Sequence, residues 1–446
     1  MLYLGLDIGT TSVCGVLLDG ETGVHIANVS KDHEAGLKSE RAEEDMQDPG
    51  RILASAAEII NMLSGSEIGG MCITGQVHGI LYIDDAGNAV SPFYTWQDRR
   101  GRCTVPEGGQ DWVSWMRERT GCIVPAGYGM LTHCINKAEG KFPGNASGVT
   151  TILDYVGMQL CGNTRPVTDP TNAHSLGLYD QKQRAFLCAA MEEAGIDPDL
   201  FPEIVPVGFE IGRTKDGIPV FTAVGDNQAG FAGAVEGREN VLLVNIGTSA
   251  QLSVHTDFRR LKNKDGNIPG WVNGLEVRPY LHDDFIITGA SLSGGSAYHL
   301  LEQFFRDICK TFCRRDPGNL FQQMNNLDLE VIGDEERLNV TTHFYGTRDD
   351  WNATGSIKNI GKENFHTAAL VDGVLRGIAE ELFQFYRCLP EDIQTRIAEL
   401  KGVGNSIRKN AQLRNIIRER FQLPLTLSGK EEDAAFGAAA IAAGSF

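Results

Sequence analysis

Leu2-Tyr3-Leu4-Gly5-Leu6-Asp7-Ile8-Gly9-Thr10-Thr11-Ser12-Val13 carries the first decisive signal. Residues 2 to 7 are an apolar run closing on a carboxylate, which by length and composition reads as a buried strand. Gly9 and the hydroxyl residues after it make a turn, and Val13 to Leu18 return as a second strand, so the stretch predicts a hairpin. The same plan recurs about half a chain later. Val241-Leu242-Leu243-Val244 ends on Asn245, Ile246-Gly247-Thr248-Ser249 turns, and Ala250 to Val254 return. Repetition at that distance predicts two halves of like topology, each opening on a hairpin whose turn can hold phosphate. Two unrelated hairpins would leave the same local pattern.

Outward from these hairpins the chain alternates strands with amphipathic helices, which predicts an α/β architecture. Ile52, Leu53, Ala56, Ile59, Ile60 and Leu63 follow a helical stripe. So do Tyr298, Leu301, Phe304, Phe305 and Ile308, and again Val371, Leu375, Ile378, Ala379, Leu382 and Phe385; all three stripes read as core faces. The turn-rich stretch Gly212 to Pro219 lies just before the second hairpin, placing a boundary near residues 225 to 230 that divides residues 1–227 from 228–446. With no low-complexity linker there, the two parts are expected to share a cleft and a hinge.

Composition removes several classes of function. The 446 residues carry 40 basic and 58 acidic side chains, a net charge of −18 that leaves no field for a nucleic-acid partner. Hydrophobic residues at 42% and 52 glycines describe a globular chain with many turns. The longest small-apolar stretch, Ala434 to Ala443, is broken by Gly437, so no membrane span is expected. The start has no basic region and carries Asp7, which argues against a secretory leader and for a cytoplasmic protein. The ten scattered cysteines read as reduced packing residues.

Several polar groups stand where α/β proteins bind ligands. Asp7 beside the Gly9-Thr10-Thr11 turn sets a carboxylate next to N–H groups and hydroxyls that can reach a polyphosphate, a combination that invites Mg²⁺. Gly402-Val403-Gly404-Asn405, read as lying between two helices, lets backbone approach a flat ring or a ribose, or is a plain connecting turn. Gly294-Gly295 precedes a helix starting near Ser296, whose N-terminus suits an anion or only a cap. Asp226, in Gly225-Asp226-Asn227-Gln228, is either an N-cap or a group able to take a proton from an attacking hydroxyl. Gln76-Val77-His78-Gly79 and Thr95-Trp96-Gln97-Asp98 both follow strands, and their Gln, His, Asp and Trp side chains suit a sugar's hydroxyls and C–H face. His78 has no second metal ligand at a sensible spacing.

In order along the chain, LGLDIGTTSV, TGQVHG, TWQDRR, GDNQAG, NIGTSAQLS, ASLSGGS, GVGNS and EDAAFGAAAIA resemble the FGGY family of carbohydrate kinases within the actin-like ATPase superfamily. The resemblance implies two actin-like (ribonuclease H-like) domains with an ATP/sugar cleft between them. It implies Asp226 as catalytic base, and Gln76, Val77, His78, Trp96, Asp98, Tyr128, Asp226 and Asn227 at the sugar. It further implies Thr10, Thr11, Gly247, Thr248, Gly294, Gly402, Gly404 and Asn405 at the nucleotide, with Asp7 at Mg²⁺. The activity so implied is ATP-dependent phosphorylation of a primary hydroxyl of a ketose. The TWQD, GYG, Leu153 to Val156 and Asp169 to Ser175 wording is most similar to members acting on sedoheptulose, then xylulose, with other sugars and polyols behind. Val77 stands where many relatives carry Met, and Gly346-Thr347-Arg348 replaces their Gly-Glu-Arg. A homodimer stays open, as does a non-kinase ATPase of the same fold.

Overall fold

A computed structural model describes residues 1–65, 67–106, 108–262, 267–329, 332–348, 350, 352–430 and 432–445. The first hairpin forms as expected, β1 (Leu2–Ile8) pairing antiparallel with β2 (Ser12–Asp19), which pairs in turn with β3 (His25–Asp32). On the other side β1 runs parallel to β4 (Ile68–Gly75), and β4 runs parallel to β6 (Pro219–Phe221), which carries the edge strand β5 (Glu210–Arg213). The first sheet is therefore ordered β5-β6-β4-β1-β2-β3.

The second sheet repeats this plan. β7 (Val241–Ile246) pairs antiparallel with β8 (Ala250–Thr256), which pairs with β11 (Phe285–Ser291); the meander goes on through β10 (Leu275–Pro279) to β9 (Trp271–Val272). On its other side β7 runs parallel to β12 (Glu399–Val403), and β12 to β13 (Leu425–Leu427). The order β13-β12-β7-β8-β11 thus matches β6-β4-β1-β2-β3 strand for strand in direction, which makes the two hairpins equivalent.

Helices cover the sheets because their apolar stripes must be buried. α1 (Pro49–Leu63) buries Ile52, Ala56, Ile59, Ile60 and Leu63 beside β2 and β3. α2 (Ile152–Cys161) packs by β5, and α3 (Pro170–Leu176) lies against β10 of the second sheet. α4 (Asp226–Val235) leads into the second sheet. Of the three stripes the one on α5 (Gly295–Cys313) departs from expectation: Tyr298 and Leu301 are buried, but Phe304 and Ile308 join Leu300 and Phe312 on an exposed row. The stripe is wider than the surface available to cover it. α6 (Thr367–Cys388) buries Val371, Leu375, Ile378, Ala379 and Leu382 as expected.

Gly402 and Val403 end a strand, β12, and not a helix; Gly404 then takes φ +92 and α7 (Asn405–Lys409) begins at once, ahead of α8 (Ala411–Phe421). α9 (Asp433–Ala442) crosses back to pack on α4 and on β1, β2 and β4 of the first sheet. Among the described residues no helix is long and apolar enough to cross a membrane.

Candidate active site

A cleft of about 1660 Å³ has walls from both halves of the chain, with His78, Trp96 and Tyr128 from the first and Gly247, Glu276 and Arg348 from the second. On one flank the second hairpin turn supplies Gly247 and Thr248. That turn is held by backbone: the N–H groups of Gly295 and Ser296, at the start of α5, donate to Gly247 O (2.8 Å) and Thr248 O (2.9 Å). The Ser406 hydroxyl also donates to Gly247 O (3.0 Å). Three motifs scattered over 160 residues of sequence, NIGTS, GGS and GVGNS, thereby meet at one place. Not every expected glycine faces the ligand space. A Cβ on Gly294 would sit 2.3 Å from Ser249 O, and one on Gly404 2.6 Å from Ile246 O, so both glycines let backbones touch. Gly402 packs against Leu427 and Ile407. The groups from these segments that reach the cleft are Gly295, Ser296, Asn405 and Ser406.

The first hairpin turn is braced from behind. Gln76, buried, donates through Nε2 to Gly9 O (3.2 Å) and to Gln47 Oε1 (2.9 Å), and Gln47 donates to Thr10 O (2.8 Å). Gln76 was expected at the sugar; its amide instead props the turn, because Gly75 (φ +140) brings the chain against Ile8. Val77 is likewise buried, and a Cβ on Gly225 would lie 3.4 Å from it, so it backs the turn before Asp226. The Thr10 hydroxyl accepts from the indole N–H of Trp96 (3.1 Å), a residue on the cleft wall, while Thr11 is exposed.

Asp98 borders the cleft, yet its two carboxylate oxygens accept from the Arg100 guanidinium at 2.6 to 3.1 Å. Arg100 is itself fully buried against Glu44, Glu139 and Asn136. Burial raises the Asp98 carboxyl and Arg100 opposes the shift. Asp98, expected at the sugar, thus lines the cleft while also held in a buried ion pair that shapes the Trp96-Gln97 wall. Sequence reading treated Arg100 as part of a motif and missed that it consumes its neighbour.

His78 takes φ +77, a left-handed conformation that is costly for a residue with a Cβ. Its backbone N–H donates to Ser175 Oγ (3.3 Å), and its Nδ1 lies 2.9 Å from Ser175 O. A carbonyl only accepts, so Nδ1 carries the proton and Nε2 is left as the ring's acceptor. Burial, with Arg278 nearby, pushes the His78 pKa down to about 3, keeping the ring neutral. The ring stacks on Tyr128 at 4.1 Å, and both residues line the cleft.

The Tyr128 hydroxyl donates across the cleft to Glu276 Oε1 (3.1 Å) on β10. Glu276 also accepts from Arg278 (2.6 and 2.9 Å), and His174 lies 4.0 Å away. Burial alone would raise the Glu276 carboxyl, but Arg278 outweighs it and holds the group well below the usual range. Glu276, Arg278, His174 and the cleft-lining Arg348 were not singled out as site residues from sequence. A signal existed: Glu276 and Arg278 alternate on one face of a strand, a charged pair where an apolar one is the norm.

Asp226 is the first residue of α4, and the N-cap is Gly225, so its carboxylate is not used as a cap. It accepts from its neighbour's N–H, Asn227 N at 2.6 Å, and its side chain is exposed. Crowding by the surrounding walls raises its pKa, and Arg278 and Arg348 oppose the rise. Asn227 Oδ1 accepts from Thr288 (3.4 Å). Asp7, at the end of β1, is pushed up to about 7 by burial and by the nearby Asp226 and Glu432 carboxylates.

Two copies of one sheet, the turn of the second lining the cleft, make this an α/β protein of the actin-like fold. Residues 2–233 match the N-terminal domain of the FGGY family of carbohydrate kinases, and the chain belongs to that family: it is an ATP-dependent carbohydrate kinase. It is 27% identical to the sedoheptulokinase of Mus musculus, covering 98% of this chain and 96% of that protein. It is 23% identical to the xylulose kinase of Staphylococcus xylosus, over 99% and 90% of the two chains. The crystal structure of the Rhodospirillum rubrum xylulose kinase shares its fold with a TM-score of 0.81, at 22% identity and over 99% of this chain and 89% of that one.

Proposed function

We propose that this kinase transfers the γ-phosphoryl group of ATP to a primary hydroxyl of a ketose, sedoheptulose first and xylulose second, with Asp226 as the base. The observation that carries the reading is that Asp226 starts α4 exposed and with no capping duty, beside two arginines that favour its anionic form. A carboxylate so placed can orient the sugar hydroxyl and accept its proton as the oxygen attacks phosphorus. His78 Nε2 and the Glu276 carboxylate are acceptors on the sugar side, Arg348 a donor, and Trp96 and Tyr128 give an aromatic wall. Thr10, Thr11, Gly247, Thr248, Asn405 and Ser406 are the proposed nucleotide contacts, with Gly294, Gly402 and Gly404 permitting the close backbone approach.

The residues also fit Mg²⁺. Burial and the nearby Asp226 and Glu432 carboxylates raise the Asp7 pKa, so negative charge gathers around Asp7. Among the described residues no cluster of three or more side chains is set to grip a metal, which suits an ion that keeps most of its waters. Asp7 would hold it through water, and when bound it would offset charge on the nucleotide phosphates.

The test is ADP release with sedoheptulose, xylulose and glycerol, for wild type and Asp226→Asn. We expect sedoheptulose to rank first. The asparagine keeps the hydrogen bond but cannot accept the proton, so kcat should fall by about 10²–10⁴ with both KM values little changed. Turnover in Asp226→Asn above half of wild type rejects the base; a higher kcat/KM for xylulose or glycerol rejects the sugar.

A further inference from the structure

Helix α3 touches no part of the cleft with its first residues, yet its hydrogen bonds run to both sides of the chemistry. Asp169, its N-cap, accepts from Asn172 N (2.8 Å) as a cap should. The same carboxylate also accepts from the Thr171 hydroxyl (2.8 and 3.0 Å). With its proton so committed, Thr171 Oγ1 accepts from the N–H of Gly225 at 2.8 Å, 54 residues away and one residue before Asp226. Asn172 Nδ2 donates to Ala223 O (2.9 Å) in the same turn. At the other end of α3, Ser175 fixes the backbone and the ring of His78 and donates to Asn172 O (2.7 Å).

Capping alone requires only the Asp169 to Asn172 bond. Thr171 and Asn172 spend their side chains on the turn that leads to Asp226, a turn that no side chain of α4 caps. Gly225 cannot brace itself: a Cβ there would meet Gln228 Oε1 at 2.6 Å, so the turn has no side chain of its own at that point. Asp169, Thr171 and Asn172 are all buried, so the chain of bonds works without solvent. One seven-residue helix therefore holds His78 and the turn before Asp226 in a fixed relation.

We propose that Thr171, oriented by Asp169, is a positioning residue that aims Asp226 at the sugar hydroxyl held beside His78. The proposal rests on the reading of Asp226 as base. Misplacement of a catalytic group by about 1 Å can cost on the order of 10²-fold in rate, so a rigid brace matters.

Thr171→Val keeps the shape and removes both bonds, while Thr171→Ser keeps both. Assayed with Mg·ATP and the sugar that ranks first in the panel, Thr171→Val should lose at least about tenfold in kcat with both KM values within about threefold, and Thr171→Ser should regain most of the loss. In an Asp226→Asn background, Thr171→Val should change single-turnover rates by less than about twofold, because no base remains to be misaimed. Asn172→Asp, which sets an acceptor against Ala223 O, gives the same readout should the valine variant not fold. A kcat within twofold of wild type in the folded variant, an equal loss in Thr171→Ser, or an undiminished loss in the Asp226→Asn background each overturns the proposal. An active Asp226→Asn would instead remove the base assignment itself.

Discussion

Tyr128→Phe separates a latch from a substrate contact. The phenol hydroxyl is buried and donates to Glu276 Oε1 from the opposite half of the molecule, while the ring stacks on His78. Phenylalanine keeps the stack and removes only the bond. A hydrogen bond to a charged acceptor contributes about 1.5–3 kcal/mol net. Glu276 retains two bonds from Arg278, so it is not stranded and the loss belongs at the low end, about 1.5 kcal/mol. If that bond helps to hold the two halves together, the ratio of closed to open molecules falls by roughly tenfold. Saturating sugar restores the closed form.

The expected result is therefore a rise of about tenfold in sugar KM with kcat within about twofold, measured by initial rates of ADP release at saturating Mg·ATP. The rise should be the same for sedoheptulose and xylulose, because the hydroxyl that is lost is committed to Glu276. A KM change confined to one sugar would mean that the hydroxyl meets the ligand directly. A fall in kcat at unchanged KM would place it in the chemical step. Either outcome refutes the latch, as does a variant that matches wild type in both constants.

Two further perturbations test the two flanks. A Cβ at Gly295 would lie 2.1 Å from Ser406 Oγ and 2.5 Å from Gly247 O, so Gly295→Ala should wedge the nucleotide turns apart. Overpacking of this kind costs about 1–3 kcal/mol, hence a rise of about tenfold or more in ATP KM, with sugar binding measured calorimetrically without nucleotide unchanged; an ATP KM within twofold would refute it. For His78, the folded pKa of about 3 lies below the value of 6.5 for a free ring, so its stabilising contribution is present above pH 6.5 and is lost as pH falls through the window toward 3. Between pH 5 and 7 the ring keeps its acceptor, and wild type and His78→Gln should show the same acid limb of kcat/KM; a limb near pH 6 to 7 seen only in wild type would contradict the neutral ring.

What could be read in the sequence is what local pattern encodes. Both hairpins were legible because a buried strand ending on Asp7 or Asn245 and a Gly-Thr turn are each contained within about fifteen residues. The strand Glu399–Val403 was not, since a short parallel strand carrying Glu399 and Lys401 shows neither an apolar run nor a helical period. At the site the same limit applies to side chains. Asp226 and His78 were singled out because their strand-end and helix-start positions announce them. Gln76 and Asp98 were assigned to the sugar for the same reason; that they also bond Gly9, Gln47 and Arg100 could not be read locally. Glu276 meets Tyr128 across 148 residues, a separation that no window of sequence spans.

The closing helix shows why the smallest residues lie where they do. A Cβ on Gly5 would sit 1.8 Å from Ala435 O, one on Gly233 2.1 Å from Asp433 O, and one on Gly437 1.9 Å from Ala229 O. α9 thus lies backbone to backbone against β1 on one side and α4 on the other, at separations that only glycine allows. Gly5 is two residues before Asp7, and α4 begins with Asp226. The approach of those two carboxylates, close enough for Asp226 to raise the Asp7 pKa, is therefore set by three missing side chains on three separate segments. Inserting methyl groups would part β1 from α4, and with them the groups proposed to meet metal and sugar. The alanine-rich run from Ala434 to Ala443 looks like filler by composition, but it is the spacer that sets this distance.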